Sequence, residues 1–190
     1  VVVLLSAGYL IILAGVGLAA SALLMLLRKK KDTQNVVVDA LRKIEFTSEN
    51  DLCWYVSHDV IGASGYEDCI VYKVDHEEKL CRQIAAFGPK NPEKKSILNP
   101  IQIAFGRGIV GSVAQSGKAE LITDTSQDNR YVPDDDVRYS ELTVPVVING
   151  QVRYIIDSEC RKRNRYKDDD LKFFTTIASV MAEKCERFPN

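Results

Sequence analysis

The sequence predicts an α+β fold: an antiparallel sheet with helices packed on it, preceded by one N-terminal apolar helix. Three observations predict it. Apolar and polar residues alternate with period two in paired runs, Cys69–Val74 with Leu80–Phe87 and Ser140–Val147 with the run after Asn149-Gly150, and such hairpins require antiparallel pairing. Around these runs apolar residues recur at helical steps. The first 27 residues carry no charge and are followed at once by Arg28-Lys29-Lys30-Lys31.

Residues 1–27 would make about 40 Å of helix at ~1.5 Å per residue, enough to cross a hydrocarbon core of about 30 Å. A cleaved signal peptide would carry its basic residues before the apolar run, whereas here they follow it, so a retained transmembrane helix is expected. Positive charge on that side places residues 32–190 in the cytoplasm. Gly8, Gly15, Ala19 and Ala22 share one helix face, a surface on which a second membrane helix could pack closely. Residues 28–48 read as a basic juxtamembrane segment and connector helix, with Val37, Leu41 and Ile44 on one side. Residues 49–190 read as one domain.

Within that domain Ser48 is placed to cap a helix with Leu52, Val56 and Val60 as its stripe, ended by Gly62 and Gly65. The first hairpin turns at Asp75–Glu78. Gly88–Pro100 is a surface loop, and Ile101–Phe105 a short strand feeding a helix that opens at Gly106. A polar loop with Asp124, Arg130 and Tyr131 leads to the second hairpin, whose last strand ends in Asp157-Ser158-Glu159. After a basic loop, Arg161–Lys167, Asp168 is expected to cap a final helix carrying Leu171, Phe174, Ile177, Ala178, Met181 and Cys185.

Composition excludes several functions. Removing the four positive charges of Arg28–Lys31 from the chain's net −1 leaves −5 for the remainder, which is no footprint for nucleic acid. Five cysteines without a CxxC pair and only two histidines give no metal-site spacing, so no metal and no cofactor are expected, and the thiols read as buried and reduced. Gly106-Arg107-Gly108-Ile109-Val110-Gly111 matches GxGxxG, but an antiparallel hairpin follows where a dinucleotide fold needs a parallel strand. The glycines read as a turn and a close helix–sheet contact. Ser116-Gly117-Lys118-Ala119 lacks the spacing and hydroxyl of a phosphate loop.

Gly106-x-Gly-Ile-Val-Gly-Ser-Val-Ala, Lys118-Ala-Glu-Leu-Ile-Thr-Asp124, Asp128-x-Arg130-Tyr131, Ser140-Glu141-Leu-x-Val-Pro145-Val and Ile155-Ile-Asp157-Ser158-Glu159 together resemble a GAF domain, over about residues 49–186. The resemblance implies a six-stranded antiparallel sheet with a pocket between the sheet and Gly106–Tyr139. It implies a sensor or dimerising module in signalling. Ligand contacts are expected at Asp124, Arg130, Tyr131, Glu141 and Asp157, although Glu141 and Asp157 could instead pair with Arg130 or cap amides. Arg153-Tyr154 stand where the family usually has a small residue and are expected to narrow the pocket. The free methionine sulfoxide reductases of the family place catalytic cysteines in a region where this chain has none, between Cys81 and Cys160.

The expectation is therefore a non-catalytic, membrane-anchored sensor or binding module, with a protein partner or homodimer and a possible small-molecule ligand. An accessory subunit of a larger membrane complex is the alternative, and a sulfoxide reductase a remote one.

Overall fold

The computed structural model describes residues 7–188 apart from 90, 92–95, 98 and 133–135, with side chains from residue 24 onward. Six strands form one sheet in the order β3-β2-β1-β6-β5-β4: β1 Cys69–Asp75, β2 Leu80–Phe87, β3 Gln102–Ala104, β4 Glu120–Ile122, β5 Ser140–Ile148 and β6 Gln151–Cys160. Every pairing is antiparallel. The helices are α1 Ala7–Lys43, α2 Glu49–Tyr55, α3 Gly108–Ser116 and α4 Asp168–Cys185.

Alternation along the strands gives the sheet two differently covered faces. Cys69 and Val71 of β1, Leu142, Val144 and Val146 of β5, and Tyr154 and Ile156 of β6 join a core with Leu41 of α1, Leu52 of α2 and Phe174, Ile177 and Met181 of α4. Ile70, Tyr72, Val152 and Ile155 face the other way, against Ile109, Val110 and Val113 of α3. The short α3 leaves part of that second face to loops, and the pocket lies there.

Local signals account for most boundaries. Asn149 and Gly150 both have positive φ (52° and 79°), as a two-residue turn matched to strand twist requires. Ser48 caps α2, accepting the Asp51 amide. The cap of α4 differs from expectation: Asp170, not Asp168, turns back, its carboxylate accepting the Lys167 amide at 2.9 Å. α2 continues through a wider π turn, Val56–Ile61. β4, absent from the sequence reading, is only three residues long.

The connector and the apolar segment form one unbroken helix, α1. Among the described residues no helix is long and apolar enough to cross a membrane. Of the expected span, residues 1–27, the backbone of 7–27 is helical within α1, while residues 1–6 and the side chains of the Gly8, Gly15, Ala19 and Ala22 face lie outside the described residues.

Candidate functional site

On the α3 face the sheet carries acids. β5 and β6 pair so that Glu141 stands opposite Glu159 and Thr143 opposite Asp157. All four side chains point to one face, and all are nearly buried: Glu141 is 4%, Asp157 4% and Glu159 5% exposed, and Thr143 is fully buried. Like charges directly opposite each other on a sheet destabilise it, so this register carries a cost that packing alone does not explain. The Thr143 hydroxyl lies 2.7 Å from Asp157 Oδ1 and 3.1 Å from Glu141 Oε1. Burial, then the charges of Asp157 and Glu159, hold the Glu141 carboxyl well above the ordinary carboxylate range.

Above these acids a pocket of about 180 Å³ opens, with Glu141 and Glu159 in its lining. Ile101, Ile103, Ile109, Val110 and Val132 supply apolar walls, and Arg107 and Tyr131 supply polar ones. Two features of the glycine motif position α3 here. Gly106 and Gly108 adopt positive φ, and a Cβ on Gly111 would lie 2.2 Å from the Ala104 carbonyl oxygen, so helix and strand approach as only glycine permits. Tyr131 hydrogen-bonds Glu159 and accepts the Arg138 amide at 3.0 Å. Arg138, fully buried, lies 3.6 Å from Asp68 and ties this loop to the base of β1.

Of the five expected contacts, Tyr131 and Glu141 line the pocket, and Asp157 lies behind Glu141, linked to it through Thr143, outside the lining. Asp124 and Arg130 stand apart from the pocket lining. Asp124 caps the turn Thr125–Gln127 and pairs with Arg163 at 2.9 Å, and Arg130 is clamped between Asp128 and Glu120. Glu159 and Arg107, both in the lining, are not among the residues expected from the sequence. Glu159 was legible, since period two puts it on the face of Asp157. Nor does Arg153-Tyr154 fill the pocket: Tyr154 packs into the core on the opposite face, and Arg153 lines a cleft by Glu49 and Cys185. All five cysteines are free and buried, and none lines the pocket. Cys81 packs in the α3-side core, where burial pushes its thiol up to about 12. The Cys160 thiol donates to Glu67. Among the described residues no set of His, Cys, Asp and Glu could hold a metal ion.

Comparison with known proteins agrees with this architecture. Protein YtsP of Bacillus subtilis is 27% identical over 99 residues, 48% of this chain and 61% of YtsP. The phosphoenolpyruvate-dependent phosphotransferase system protein of Escherichia coli is 27% identical over 128 residues, 65% of this chain and 17% of that protein. The chain thus spans less than two thirds of either relative. The GAF domain of an Acinetobacter phosphoenolpyruvate-protein phosphotransferase superposes with a TM-score of 0.70 at 19% identity, covering 85% of this chain and 97% of that one. A free methionine-R-sulfoxide reductase from Neisseria meningitidis, solved with its substrate, gives 0.70 at 16% identity, covering 83% and 88%. At such identities the solved structures establish the fold alone. Residues 31–183 match the GAF domain family, and with the six-stranded sheet and pocket in place the chain belongs to that family.

Proposed function

We propose that this chain is a sensor without catalytic activity of its own, whose pocket binds a free amino acid or a similar small zwitterion. The observation that carries the reading is the opposed pair Glu141–Glu159 beside Asp157, nearly buried on the pocket floor. A protonated amine placed there would offset the repulsion that these carboxyls meet when Glu141 ionises. Arg107 and the first amides of α3 at the mouth suit a carboxylate, and the isoleucines and valines between them suit an apolar side chain. The sulfoxide reductase among the structural neighbours is named for a methionine derivative, which supports the amino-acid class. The absence of a thiol from the lining favours binding over thiol chemistry.

The signal would leave through α1. From the pocket, the Glu159 amide donates to Asp68 at 2.7 Å, and Ser158 joins Asp68 to Tyr166. Tyr166 stacks on Tyr66, whose hydroxyl donates to Asp170 at 2.7 Å. Asp170 holds Lys30 of α1, also at 2.7 Å. Residues 1–27 would anchor this output helix in a membrane with residues 32–190 in the cytoplasm, and a homodimer or protein partner would receive the signal.

The test is a thermal-shift and calorimetric screen of the full chain against free amino acids, amines and cyclic nucleotides, after a carbonate wash of its native membranes to verify anchoring. A ligand at about a hundred times its Kd stabilises by about 2.7 kcal/mol, a rise of several degrees. The expected result is a rise with an amino acid that is lost in Glu141→Gln and Glu159→Gln. No rise with any of these compounds overturns the reading.

A further inference from the structure

A second and larger cleft, about 510 Å³, opens on the opposite side of the molecule, at the joint between α1 and α2. Its walls are aromatic. Phe46 and Tyr55 pair with ring centroids 5.3 Å apart, and Trp54 and His58 with centroids 5.6 Å apart. The second pair is held by the π turn, a geometry that recurs at functional sites. His58 Nε2 lies 2.9 Å from the Ala86 carbonyl oxygen, and Phe87 meets its ring edge-on, so the wall is braced against β2.

Among the described residues the lining has three carboxylates, Glu45, Asp51 and Asp59, and no lysine or arginine. Two are already occupied. Glu45 pairs with Arg187 at 2.8 Å, and Asp51 accepts the hydroxyls of Thr47 and Ser48. Asp59 is exposed. It lines the same cleft as Tyr55, four residues further along the chain. Negative charge next to π faces selects a cation, and walls with so few free acceptors select one that has no N–H groups to satisfy. The joint already accommodates such a contact: Lys184 Nζ, almost buried, lies 6.0 Å from the Phe46 centroid while donating to the Ile44 carbonyl oxygen.

We propose that the α1–α2 cleft binds a quaternary ammonium group between Phe46, Trp54 and Tyr55, with Asp59 as its counter-charge. The rim residues Glu45–Thr47 connect α1 to the domain, so an occupant here would stiffen the joint through which the amino-acid pocket acts. The two sites are separate in residues and in chemistry.

Trp54 is the single tryptophan of the chain, which makes its emission a reporter confined to this cleft. The experiment titrates the full chain with tetramethylammonium chloride against sodium chloride at equal ionic strength. A saturable change with the organic cation alone is expected, weakened about tenfold by Asp59→Asn and by Phe46→Leu and unaltered by Glu141→Gln. Asp59 is at the surface, so its variant tests the site without burdening the fold. Choline and a trimethyllysine amide distinguish the source: preference for choline indicates a free small molecule, preference for the amide a modified protein chain, and either supports the site. A linear response, an equal response to sodium chloride, or affinity unchanged in both cleft variants overturns it.

Discussion

Glu141 contains the site's chemistry in one residue. Its folded carboxyl holds a proton above the ordinary value of 4.5 because burial, and then Asp157 and Glu159, disfavour the charge. Above 4.5 the folded state therefore binds more protons than the unfolded chain. The stability this contributes is fully present below 4.5 and is lost as pH rises through the raised pKa. Glu141→Gln, neutral throughout and nearly isosteric, escapes that loss. Urea unfolding between about pH 5 and about pH 8 is expected to show the variant gaining on the wild type as pH rises, by about 1–3 kcal/mol in total. A difference independent of pH would mean that Glu141 ionises freely in the fold. Carboxylates held low by partners, Glu67 and Asp170 among them, act below this window and do not mask it. The alternation of β5 and β6 made the shared face of Glu141 and Asp157 legible in the sequence. A loop has no such period, so nothing in the sequence tells Tyr131, which turns inward, from Arg130, which turns to Glu120 and Asp128.

Among the elements, α1 and α4 show how a helix is held by a few residues. Leu41 is fully buried and Val38 nearly so, while Met25, Leu26, Leu27 and Val36 remain exposed. The grip farther toward the N-terminus is polar: Lys30 on Asp170, and Gln34 donating to Tyr66 at 3.1 Å. Burial would raise the Asp170 carboxyl, but the hydrogen bonds from Lys30 and Tyr66 together outweigh it and hold it low. Its contribution is thus present above the ordinary 3.8 and lost as pH falls through the depressed value. Asp170→Asn is expected to cost about 1–3 kcal/mol near neutral pH and to speed tryptic cleavage after Lys29–Lys31. Equal cleavage rates would show that Leu41 and Val38 suffice to seat the helix. Most elements could be read from period and cap, because each signal is local. β4 has three residues, too few for any period. The choice of Asp170 over its two neighbours depends on Tyr66 and Lys30, which only the tertiary fold brings near.

At the scale of the whole molecule the sheet separates two differently covered faces. One face buries α1, α2 and α4 in a continuous core, and the other, covered only by α3 and loops, leaves room for the pocket. A ligand in the proposed pocket would therefore not touch α1 and would have to act through the sheet and the residues that cross its edge. The run from Glu159 through Asp68, Ser158, Tyr166 and Tyr66 to Asp170 makes that crossing at hydrogen-bond and stacking distances. A coupling free energy is reciprocal: if the ligand changes the hold on α1, then weakening that hold must change ligand affinity by the same factor. Tyr66→Phe keeps the stacked ring and deletes only the donor to Asp170. Calorimetry with the amino acid that gives the largest thermal shift is expected to show its affinity altered about fivefold or more in this variant. Hydrogen exchange over residues 30–43 should respond to that ligand in the wild type and much less in the variant. Unchanged affinity alongside faster exchange of α1 would separate the two, leaving α1 docked on the domain but deaf to its pocket.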